Sequence, residues 1–120
     1  MMTEDLGMRL LSVLLLALIT SSIHAQTTWY VDDDGKDNPK AQFTDIQSAV
    51  DAASDGDTIL VSPGTYTSNH QAHAIDMKSK EVTLKSSNGA QATFIDGENA
   101  RRGIAIFRNE SNECVIDGFT

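Results

Sequence analysis

The sequence predicts an all-β protein, a solenoid of short parallel strands fronted by one helix. Three observations lead there. Residues 43–53 carry an amphipathic helical stripe, and no second such stripe follows. After Asp57 the chain breaks into short β-type runs divided by Pro-Gly, Asn-Gly and Asp-Gly pairs. Apolar pairs in those runs recur every 20 to 23 residues, a spacing that suits a coil better than hairpins, whose partners stand a few residues apart.

Residues 1–25 read as a signal peptide. Leu10 to Ile19 form an apolar run broken only by Ser12, far short of the roughly 20 residues a membrane-spanning helix needs. Thr20, Ser21 and Ser22 lead to Ala25, a small residue suited to precede cleavage, which makes Gln26 the mature N-terminus. Glu4 and Asp5 are misplaced before an export core, whereas Met8-Arg9 supplies a short basic start. Translation from Met8, export to an extracellular or periplasmic location and no membrane span after cleavage are therefore expected.

The 120 residues carry a net charge of −8 from 17 acidic and 9 basic residues, and the longest basic cluster is Arg101-Arg102. A nucleic-acid partner is excluded on that ground, because tracking phosphates requires a basic stripe. Cys114 is the single cysteine, so no internal disulfide forms, and its neighbours Val115 and Ile116 mark it as a small core residue.

Residues 26–42 read as an extended segment ending in an acidic loop, and residues 43–120 as a capping helix and the first coils. In the helix, Ile46, Ala49, Val50 and Ala53 share one face. Thr44 and Gln47 have the spacing of a capping box, Asp45 suits the positive end of the dipole, and Gly56 supplies a stop. Strands are expected at Thr58 to Ser62, from Thr65 and from Glu81 to Ser86, with corners at Pro63-Gly64, Asn88-Gly89, Gly97 and Gly118. The spacing places Ile59, Val82 and Ile104 in one inward stack, the last paired with Ile106, and Ile75, Ile95 and Ile116 in another. The helix is placed to cover the exposed edge and core end of the first coil.

The blocks Trp29-Tyr30-Val31-Asp32, Phe43 to Ala53, Gly56 to Val61 and Pro63-Gly64-Thr65-Tyr66 resemble the N-terminal part of secreted right-handed parallel β-helix proteins, the pectate-lyase-like superfamily. The resemblance covers most of residues 29–120. It implies that further coils follow Ile116-Asp117-Gly118-Phe119-Thr120, that family catalytic groups sit on middle coils beyond this chain, and that no family active-site residue maps onto it. It also implies a polysaccharide partner, uronate-rich chains being one class, and it allows calcium as a cofactor of a longer protein. Taken alone, the chain is expected to lack activity and to self-associate through its C-terminal strand edge.

Catalytic residues stay unassigned, and no cofactor or metal ligand is assigned. Asp96 and Asp117 fall at matching places in the repeat, near enough on that reading for a pair of glycosidase acids, but each precedes glycine and the turn reading is preferred. Asp32, Asp33, Asp34, Asp37 and Asn38 make an oxygen-rich loop open to calcium, with a solvated loop preferred because it lacks the EF-hand pattern. His70 and His73 have a zinc-like spacing without a third ligand, Arg101 and Arg102 could pair with a sugar carboxylate but are read by preference as a solubilising corner, and Asn109-Glu110-Ser111 fits a glycosylation sequon. Two functions result: a secreted carbohydrate-active β-helix, lyase-like or otherwise, or a non-catalytic extracellular β-helix that binds carbohydrate or builds structure.

Overall fold

The computed structural model describes residues 25–67, 72–106 and 114–120. The signal-peptide core, His70 and the sequon lie outside the described residues. In chain order the elements are β1 Thr28–Val31, α1 Ile46–Ala52, β2 Thr58–Val61, β3 Gly64–Tyr66, β4 His73–Asp76, β5 Thr83–Ser86, β6 Thr93–Ile95, β7 Arg102–Ala105 and β8 Val115–Asp117. The all-β class holds. Every strand pair is parallel, and the pairs fall into three sheets ordered β1-β2-β5-β8, β3-β6 and β4-β7.

From β2 onward the chain visits the first, second and third sheets and then repeats that order through β5, β6, β7 and β8. Thr120 arrives beside β6 in the second sheet, its N–H donating to the Thr93 carbonyl at 3.1 Å and its own carbonyl accepting from Ile95 at 2.8 Å. Hairpins cannot produce this order, because each parallel partner must be reached by a full crossover.

The register corrects the predicted stacks. Trp29, Ile59, Leu84 and Ile116 are successive partners in the first sheet; Ile75 pairs with Ile104 in the third and Tyr66 with Ile95 in the second. All six predicted residues belong to or pack against the core, so their inward direction was read correctly and their neighbours were not. Val82 precedes β5, where its carbonyl accepts from Val115, and Ile106 is 56% exposed. The partners Thr58 and Thr83 stand 25 residues apart, Gly64 and Thr93 29, and Thr83 and Val115 32. The turns differ in length, so no fixed offset follows one sheet.

Helix α1 buries Ile46, Ala49 and Val50, with Ala53 beyond its end, and packs on β1, β2 and β4. Its cap differs from expectation. Asp45 is the N-cap, accepting from the Ser48 N–H at 2.8 Å and the Ser48 hydroxyl at 2.8 Å. Gln47 does not turn back to Thr44; it brackets Asp76 instead, accepting from its N–H at 2.8 Å and donating to its carbonyl at 2.9 Å. The helix ends as Ala53 adopts extended backbone, before Gly56 takes its positive φ in the following turn. The edge of β2 is paired by β1, so α1 covers the core end rather than the strand edge.

Candidate functional site

The first sheet positions the acidic loop. Val31 ends β1 and bridges Phe43, with Asp32 donating to the Phe43 carbonyl at 3.0 Å and Phe43 donating to that of Tyr30 at 3.3 Å. Residues 32–42 therefore leave and return to the same place. Within that excursion one carboxylate oxygen from each of Asp32, Asp34 and Asp37 lies within 4.8 Å of the others.

The three acids are not equivalent, since Asp34 and Asp37 are exposed whereas Asp32 is 1% exposed. Asp32 Oδ2 accepts from the Asn38 N–H at 2.6 Å. Its Oδ1 has no hydrogen-bond donor. Burial works against the Asp32 charge, yet the Asn38 amide, with those of Asp34 and Asp37 facing the same carboxylate, holds its carboxyl below the ordinary range. The adjoining Asp33 shifts the other way, raised by burial and by the charges of Asp34 and Asp32.

Asp33 also joins the loop to the second sheet. Gly64 has φ 154° and a Cβ there would stand 2.5 Å from Asp33 Oδ2, so the loop seats its carboxylate where only glycine leaves room. Tyr66, two residues on, donates its hydroxyl to the Ser62 carbonyl at 2.8 Å. Burial, then the Asp33 charge, pushes its ionisation well above the tyrosine range, so Tyr66 is a neutral donor and no general base.

The other sequence candidates do not converge. Asp96 follows β6 in the second sheet and Asp117 ends β8 in the first, where its partner is Lys85. They are not stacked neighbours. Asp96 Oδ1 accepts from the Glu98 N–H at 2.7 Å, the local bond of an Asp-Gly turn. Arg101 is held by Glu98 at 3.0 Å, Arg102 opens β7 and His73 opens β4. Cys114 packs against the core, and burial raises its thiol ionisation, which leaves it a poor nucleophile.

The sequence named the acids of the loop but not the burial of Asp32. Strand alternation puts Trp29 and Val31 inward and sets Asp32 outward with Tyr30, so the pattern pointed away from it. The loop folds back on that carboxylate instead, bringing the Asn38 N–H to it.

No family model matches the chain, and no solved structure does. A curated protein described as a cell surface glycoprotein, from Methanothermus fervidus, is 33% identical over 84 residues, which is 68% of this chain and 12% of that protein. The chain thus spans about an eighth of the length of the curated relative it matches.

Proposed function

We propose that these residues form helix-capped turns of a right-handed parallel β-helix in an exported protein whose role at the cell surface is structural. The observation that carries the reading is the repeated order of sheets, in which successive passages lay parallel strands on the same three faces. The export leader read at residues 1–25 and the likeness to a cell surface glycoprotein support the location. In such a protein each turn adds rungs to the sheets, and function lies in length and in the side chains displayed outward.

The carbohydrate-active reading drew on resemblance, and the side chains offered for it are committed elsewhere. Asp96 closes its own turn, Arg101 is paired with Glu98, and Asp117 stands on a different sheet from Asp96. These three described residues therefore assemble no acid pair or free arginine for such chemistry, and the likeness to a cell surface glycoprotein is what favours the structural role.

Expression of the chain with residues 1–25 intact tests this. Cell fractionation is expected to place the product outside the cytoplasm, mass spectrometry to find Gln26 first, and incubation with uronate polysaccharides to release no product. Retention of Leu10 to Ile19 in a cytoplasmic product overturns the location, and turnover of any such polysaccharide overturns the structural role.

A further inference from the structure

We propose that the loop following β1 is a calcium site whose protein ligands are the carboxylates of Asp32, Asp34 and Asp37. Two independent observations meet there. Three carboxylate oxygens lie within 4.8 Å of one another, about the distance between two oxygens on opposite sides of one calcium ion, since each bond is about 2.4 Å. One of those residues, Asp32, is 1% exposed and keeps its Oδ1 without a donor. A buried carboxylate oxygen left unsatisfied is costly, and a cation is the partner that removes the cost together with the repulsion among three acids.

The ligand chemistry selects the ion. Carboxylate oxygens suit hard cations rather than zinc, which favours nitrogen and sulfur. Magnesium demands a tighter octahedron and gives up its water reluctantly, whereas calcium accepts six to eight oxygens in adaptable arrangements, leaving positions for water beside three carboxylates. The Lys36 ammonium stands 3.6 Å from Asp34 in a pair that is largely exposed, a weak contact for the ion to displace. Because Asp32 opens the loop and Asp37 lies on its return, a shared ion fixes the loop against the first sheet. Ion binding then raises the stability of the folded chain by mass action.

The test is a calorimetric titration of chelator-treated protein with calcium chloride, paired with thermal melting. One ion per chain is expected, with a dissociation constant on the order of 10⁻⁴ to 10⁻³ M, the range of extracellular calcium modules, and a melting temperature that climbs with calcium. Asp37→Asn removes an exposed carboxylate, so it should melt like the parent in chelator while binding calcium roughly tenfold more weakly or worse. Glu98→Gln, the same charge change outside the loop, should bind like the parent. Absence of binding at about 10 mM calcium, parental affinity in Asp37→Asn, or equal affinity for magnesium chloride each overturns the assignment.

Discussion

Asp57 is the residue that ties down β1. Its carboxylate accepts from the Thr27 N–H at 2.9 Å, the Trp29 indole N–H at 3.0 Å and the Ser54 N–H at 2.9 Å, joining β1 to the turn that leads into β2. Asp57→Ala strips three donors of their acceptor at a site only 3% exposed, and should cost about 3 kcal/mol or more in urea unfolding. Two other carboxylates, Asp51 and Asp32, make stability fall in acid. Burial opposes the charge of Asp51, but Lys78 at 2.9 Å and Gln47 outweigh it and hold its carboxyl below the ordinary 3.8. Asp32 is also held below it. A group lowered in this way contributes stability above its unfolded pKa and loses it as pH falls through the folded value. Asp33, raised above 3.8, acts oppositely and loses stability as pH rises through its own folded value. The urea midpoint should therefore drop below about pH 4, and Asp51→Asn should flatten part of that drop. In the sequence Asp57 is one letter of an Asp-Gly-Asp turn, and its bonds reach 30 residues back to Thr27. Local patterns carry no trace of such partners.

At the scale of elements the helix was the most legible feature. Its stripe of Ile46, Ala49, Val50 and Ala53 is local, and all four are buried. Its cap was not legible, because Thr44 and Asp45 are both good capping residues and the choice was made from β4. Gln47 is engaged by the Asp76 backbone, leaving Asp45 to take Ser48. Asp45→Ala should thus cost about 1 kcal/mol in urea unfolding, while Thr44→Ala stays within about 0.5 kcal/mol. The opposite ranking would restore the Thr44 cap. The far end of α1 is closed by a residue no helix-stop rule suggests: the Lys80 ammonium donates to the carbonyls of Val50, Asp51 and Ala53 at 2.7 to 2.9 Å. A cation there meets the negative end of the helix dipole.

For the whole molecule, the sequence disclosed that apolar residues stack and not which ones. Apolar-x-apolar pairs mark an inward strand but not its sheet, and the turns between visits vary, one carrying Lys78 and Ser79 and another Glu98 and Asn99 at positive φ. Leu84 illustrates the result: fully buried, it lies between Ile59 and Ile116. Leu84→Asp places an unpaired charge there at a cost of several kcal/mol, comparable to the whole stability of a small domain, and should abolish cooperative thermal unfolding. Ile104→Asp, at a partly buried position, should weaken the fold by less. The most direct test of the parallel three-sheet winding is oxidative cross-linking of paired cysteines in a Cys114→Ser background. Lys85 and Asp117 are register partners on exposed positions of β5 and β8, and adjacent strands bring such residues within about 5 to 6 Å, as a disulfide requires. Lys85→Cys with Asp117→Cys should close a disulfide in the folded protein, and Asp96→Cys with Asp117→Cys should not. Cross-linking of the second pair without the first would contradict the winding.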